Sequence, residues 1–141
     1  MHIKYVTVKN FGPFSDFEQE FGQGLIGLFG MNGSGKSTLV NGIYATLTND
    51  FGRFDGVKSD IIRDVVRDDP SEKSFFEVEA EHEGTEFVLR RSLRPNKSSL
   101  RVHGREITKA TEIEDTLRTE LGVDMKLVDT YVFVAQGKMF R

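Results

Sequence analysis

Eight consecutive residues have the types and spacing that hold a string of phosphates. Gly30-Met31-Asn32-Gly33-Ser34-Gly35-Lys36-Ser37 fits G-x-x-x-x-G-K-[ST], the P-loop or Walker A pattern. A triphosphate packs several negative charges into a short length. A chain wraps it with backbone N–H groups only where side chains do not intrude, hence Gly30, Gly33 and Gly35 among Asn32 and Ser34. Lys36 adds a full positive charge where the β- and γ-phosphates fall, and the Ser37 hydroxyl suits Mg²⁺. The implied ligand is a nucleoside triphosphate, with ATP and Mg²⁺ as the expected pair and Lys36 as the charge that serves both binding and catalysis.

Such a loop works only between a strand and a helix. Gly24–Phe29 supplies a short apolar run of the kind that forms a buried central strand. From Lys36 onward, Leu39, Val40, Ile43, Tyr44 and Leu47 recur on one helical face. The helix N-terminus, with the positive end of its dipole, then points at the phosphates. Gly42 weakens this helix without ending it.

Around this unit, Ile3–Val8 alternates as a strand does and Gly12-Pro13 breaks it. Phe14–Phe21 follows as a second strand, and residues 49–69 read as a surface loop. Phe76, Val78 and Ala80 alternate with Glu77, Glu79 and Glu81, opening an antiparallel meander from Ser74 to Thr108 with turns at His82–Thr85, Arg94–Lys97 and His103-Gly104. Thr111–Leu121 is expected to be a helix, with Thr111 and Glu114 as a capping box and Gly122 as its stop. The apolar run Tyr131–Ala135 reads as another buried strand. The expected fold class is α/β: a P-loop lobe with a mixed sheet plus an antiparallel meander.

The 141 residues suit one domain or a large part of one. No apolar run reaches the length of a membrane span, and there is no cysteine for disulfides or a cysteine-based zinc site. These features fit a reducing cytoplasm and no membrane partner. The net charge of −3 does not announce a nucleic-acid binder, but its distribution is uneven. Asp68–Val88 holds eight acids and one base, whereas Leu89–Ala110 holds seven bases and one acid. Arg90, Arg91, Arg94, Lys97, Arg101, Arg105 and Lys109 are therefore candidate contacts to a DNA phosphate backbone. The competing reading is a solvated sheet face paired to the preceding glutamates.

Three stretches carry a family resemblance. Val6-Thr7-Val8-Lys9-Asn10-Phe11-Gly12-Pro13-Phe14, the P-loop form Asn32–Thr38, and Val132-Phe133-Val134-Ala135-Gln136-Gly137-Lys138 resemble the opening, Walker A and Q-loop of SMC-like DNA-repair ATPases of the SbcC type. Gln136 lies 100 residues after Lys36, a spacing similar to SbcC-type and SMC heads and about twice that of transporter ATPases. The resemblance implies that Gln136 ligates Mg²⁺ or positions the attacking water, and that Thr38 meets the α-phosphate. It also implies a base or ribose contact from Asp60–Asp64, with Ile62 and Arg63 as candidates. Where relatives place a nucleotide-contacting arginine after the first strand, this chain has Gly12-Pro13.

Hydrolysis in that class also needs a Walker B strand ending in Asp and Glu, and a signature loop. Met125-Lys126-Leu127-Val128-Asp129-Thr130 contains a lysine and no following glutamate, so it does not qualify, and no signature string is present. Residues 1–141 are thus expected to be the N-terminal half of an ABC-type ATPase head, ending where relatives enter their coiled coil. The resemblance implies four partners: the C-terminal half, a second head in an ATP-dependent dimer, an SbcD-type nuclease and DNA. It implies a nucleoid-associated location, or a nuclear one in a eukaryote. A chromosome-structural SMC or RecF-like head is the alternative, a transporter ATPase domain a weaker one, and a nucleotide-gated module without turnover another.

Overall fold

The computed structural model describes residues 1–21, 34–51, 69 and 71–135. Its frame is an antiparallel sheet of β1 (His2–Phe11), β2 (Phe14–Glu20), β3 (Ser74–His82), β4 (Thr85–Arg94), β5 (Asn96–Val102) and β6 (Arg105–Ile107). The strand order is β2-β1-β3-β4-β5-β6. The long excursion between β2 and β3 therefore returns the chain to the free side of β1, with Val6 opposite Val78 and Val8 opposite Phe76.

Alternation decides which face is buried. Ile3, Val6, Val8, Phe76, Val78, Ala80, Phe87, Leu89, Leu100 and Val102 point inward and are almost fully buried. The intervening residues carry the acids and bases of the outer face. A register shift between Ile3 and Tyr5 inserts one residue into β1. This bulge keeps Ile3 and Val6 both inward although three positions separate them. The expected turns are where the sequence places them. Glu83 and Gly84, and then His103 and Gly104, adopt positive φ, as two-residue hairpin connections require.

Helix α1 (Ser34–Thr48) lies on the inner face against β3 and β4. Its apolar stripe Leu39, Val40, Ile43, Tyr44 and Leu47 is buried as the periodicity predicts. Helix α2 (Ala110–Asp115) passes into a wider π-helical turn over Thr116–Glu120. It buries Ile113, Leu117 and Leu121, and Gly122 ends the element at φ +68°.

Two expectations are corrected. The capping box does not form, because Lys109 precedes α2 with no side-chain cap and Glu114 instead pairs with Arg91. Tyr131–Ala135 is not a strand but the second half of helix α3 (Met125–Ala135). A short apolar run has no period of its own. Here Asp124 settles the matter: its carboxylate accepts the Leu127 N–H at 2.8 Å and its carbonyl accepts the Val128 N–H at 3.1 Å, starting a helix that continues through the run. The string Met125–Thr130, excluded above as a Walker B strand, is accordingly helical. The proposed central strand Gly24–Phe29 lies outside the described residues, so the mixed part of the sheet does too.

Candidate functional site

The Walker A motif meets the described structure at Ser34, the first residue of α1. Ser34, Gly35, Lys36 and Ser37 form its opening turn, the place where unpaired N–H groups and the helix dipole favour an anion. Asn32, Gly33, Ile62, Arg63 and Gln136 lie outside the described residues.

Two glycines and one phenylalanine hold that helix end in place. Gly42 faces the Phe76 ring so closely that a Cβ there would lie 2.2 Å from Cε2. The glycine that costs helix propensity is thus what lets α1 settle onto β3. Phe76 also meets Phe11 edge to face, with ring centroids 5.2 Å apart. Gly12 follows, at the first central position of the β1–β2 hairpin, with φ +56°. A Cβ on it would come within 2.9 Å of Thr38 Cγ2. The β1–β2 turn therefore sits directly beside the start of α1.

Asn10 anchors this turn. It is buried at positive φ, a conformation asparagine tolerates better than most residues. Its Nδ2 donates to the Lys73 carbonyl at 2.8 Å and to a Glu72 carboxylate oxygen at 3.3 Å, while its own carbonyl accepts the Ser74 hydroxyl at 2.9 Å. In the sequence, Asn10 and Gly12 belonged to the stretch that resembles the SMC-like opening, and Gly12-Pro13 read as a strand break in the place of a relative's arginine; the anchoring of this turn was not legible there.

The seven basic candidates do not form one surface. Arg91 is 2% exposed on the inner face, so it leaves the proposed DNA-contact set. An odd step along β4 separates it from Arg90, and the pleat turns it inward. Its Nε donates to Thr46 O at 2.9 Å, Nη1 to Ser98 Oγ at 3.1 Å and Nη2 to Glu114 at 2.8 Å. Burial pushes its pKa below the ordinary arginine value, and the Glu114 charge opposes that shift.

Arg90 and Arg101 lie on the outer face, both directed at Glu77, with N···O distances of 3.0 and 3.8 Å. Arg105 pairs with Glu120 at 3.0 Å. Lys97 lines the same outer groove as Arg90 and Arg101, and Lys109 is exposed beyond β6. Arg94, half-buried at the end of β4, lies near Asp69. Hydrogen bonds from the Ser71 hydroxyl and N–H hold the Asp69 carboxyl below its ordinary value, and Arg94 adds a smaller pull. Among the described residues no group of His, Asp or Glu is arranged to hold a metal, and no helix is long and apolar enough to cross a membrane.

A family model described as an AAA domain (AAA_23) matches residues 5–141. The chain belongs to this AAA domain family. The AAA domain is also 44% identical over 48 residues to the DNA replication and repair protein RecF of Desulfitobacterium hafniense, strains DSM 10664 / DCB-2 and Y51. That stretch is 34% of this chain and 13% of those proteins. In fold it resembles the solved structure of the recombination mediator protein RecF-ATP in the RecFOR pathway, with a TM-score of 0.50 and 18% identity. The likeness covers 77% of this chain and 28% of that one, so the AAA domain spans less than a third of the RecF chains it matches. Together these matches show a P-loop fold of the ABC/SMC-type ATPase kind, with the antiparallel sheet expected above.

Proposed function

We propose that this AAA domain binds ATP with Mg²⁺ through Gly30–Ser37 and supplies one half of an ATP-hydrolysing head. One observation carries the reading. The Gly35-Lys36-Ser37 end of the motif opens a 15-residue helix whose apolar face is locked onto the sheet. The backbone N–H groups and the helix dipole are thereby aimed from a rigid element. Mg²⁺, when bound, would supply charge neutralisation at the phosphates, and the Ser37 hydroxyl would help hold it. Thr38, which lies beside Gly12, is the proposed contact to the α-phosphate. Ile62 and Arg63 are the proposed base or ribose contacts, and Gln136 the proposed link to the γ-phosphate. The test is calorimetric titration of ATP. Lys36→Ala should reduce binding below detection, and an unchanged affinity would put the triphosphate elsewhere.

In the whole protein, the proposed role is to couple ATP binding and hydrolysis to DNA repair. A second lobe with Walker B and signature motifs completes the head, and two heads close on two ATP molecules. DNA then lies on the outer face near Arg90, Lys97 and Arg101, within a cytoplasmic, nucleoid-associated assembly. Two forms of this role stand. An SbcC-type role with an SbcD-type nuclease is supported by the resemblance around Gln136 and its distance from Lys36. A RecF-like role is supported by the 48-residue match. Co-purification separates them: an SbcC-type head retains an SbcD-type nuclease through size exclusion, and a RecF-like head does not.

A further inference from the structure

On the outer face of β3–β6 lies an open groove of about 290 Å³. Arg90, Lys97 and Arg101 line it together with Ser99, Thr108 and two carboxylates, Glu77 and, opposite Arg101 on β6, Glu106. Glu77 stands at its β3 edge by register, directly opposite Arg90, which in turn stands opposite Ser99. One carboxylate oxygen, Oε1, takes both arginines, Arg90 Nε at 3.0 Å and Arg101 Nη2 at 3.8 Å. Arg90 is steadied from the side by the Phe75 ring, whose centroid is 3.9 Å from its guanidinium carbon. Glu77 is the least exposed of the three, its side chain 17% accessible against 38% and 59% for Arg90 and Arg101. Lys97 has no ion pair among the described residues.

We propose that Glu77 is an internal stand-in for a phosphate, occupying the arginine pair that otherwise grips the backbone of duplex DNA, so that DNA binds here only by displacing it. This rests on the DNA-contact reading above and adds its regulation. The exchange is physically cheap. An ion pair with partly solvated members contributes little net stability, so giving it up costs little. A phosphodiester carries the same single charge as Glu77 but can turn both of its oxygens to the arginines, where Glu77 turns only Oε1, and neighbouring phosphates along the duplex can bring Lys97 and the Ser99 and Thr108 hydroxyls into the same contact. The groove is therefore weak for isolated anions and selective for a polyanion that engages several cations at once. It also accounts for two of the seven bases within Leu89–Ala110, Arg90 and Arg101, standing paired on the outer face.

The test measures fluorescence anisotropy of a labelled DNA duplex with the intact protein across a salt series. Glu77→Gln should bind several-fold more tightly at low salt. Its log–log salt slope should steepen by about one unit, since each added phosphate contact contributes roughly 0.9. Glu20→Gln, which removes the same charge from the exposed edge strand β2, should change neither quantity. Arg101→Glu with Lys97→Glu should weaken binding and flatten the slope. If Glu77→Gln behaves like Glu20→Gln while the double reversal still weakens binding, the stand-in role is wrong and the DNA reading survives. If the double reversal also has no effect, the DNA reading fails with it. Matching thermal melts for all variants exclude loss of fold as the cause.

Discussion

Arg91 donates its Nε–H to the carbonyl oxygen of Thr46 at 2.9 Å, joining the centre of the meander to the last turn of α1. Thr46 is one of the carbonyls a helix leaves without an internal partner, and α1 has no basic residue of its own in that turn. A buried cation from β4 therefore caps the far end of the helix whose near end carries Lys36 and Ser37. The other arm of the guanidinium reaches Glu114 on α2, so one side chain ties three elements together.

Arg91→Met should lower unfolding stability by about 1–3 kcal/mol, because it strands the buried Thr46 carbonyl, whereas Glu114 is exposed enough to regain water. Glu114→Gln should cost less, about 1–2 kcal/mol, since Glu114 is partly exposed and two of the three Arg91 bonds remain. Urea denaturation measures both. A midpoint for Arg91→Met equal to that of the unaltered chain would remove the capping role.

Gly42→Ala should destabilise, against its usual effect in a helix. Helix propensity alone gains about 1 kcal/mol. The added methyl would stand 2.2 Å from the Phe76 ring, and overpacking of this kind costs about 1–3 kcal/mol. Adding Phe76→Leu should recover part of the loss. Thermal melts of the two single variants and the double variant read the coupling directly.

Gly12→Ala should weaken both folding and ATP affinity. A residue other than glycine at φ +56° costs about 1–3 kcal/mol, and its Cβ meets Thr38 Cγ2 at 2.9 Å. Thr38→Ser removes that methyl, so Gly12→Ala combined with Thr38→Ser should retain the backbone strain but regain ATP affinity. Calorimetry with ATP distinguishes the two contributions. Equal affinity in the single and double variants would show that the turn does not position the start of α1.

The 141-residue chain alone should bind ATP with little or no turnover. Lys36 and Ser37 neutralise phosphate charge, but the catalytic carboxylates expected of this class have no match in the sequence. Steady-state phosphate release should appear only when a second lobe carrying Walker B and signature motifs is supplied. Light scattering should then show ATP-dependent pairing. Gln136→Ala should spare binding and slow release. Brisk hydrolysis by the chain alone would overturn the split-head reading.

Local chemistry made much of this molecule legible in one dimension. The Walker A pattern needs only eight neighbouring residues. The α1 stripe is a 3.6-residue period, and the β3 alternation is a period of two. Each of these is set by residues a few positions apart, so sequence order carries it. The Tyr131–Ala135 run had no such period, and a cap seven residues upstream, at Asp124, decided its state.

By itself the sequence determined the phosphate-binding motif, the helix that follows it and the hairpin turns, because backbone geometry and nearest-neighbour periodicity act locally. Tertiary structure alone decided what the charges do. Arg90 and Arg91 are adjacent and chemically identical, yet the pleat sends one to the outer face with Glu77 and buries the other beneath α1. It also decided why Gly12 and Gly42 are glycines, since the atoms that leave no room for a side chain, Thr38 Cγ2 and the Phe76 ring, are brought there only by the folded chain. The physical reason is common to both. A side chain's partner depends on which strand lies alongside, and β1 pairs with β3 across a gap of more than 60 residues, a distance at which no sequence periodicity survives.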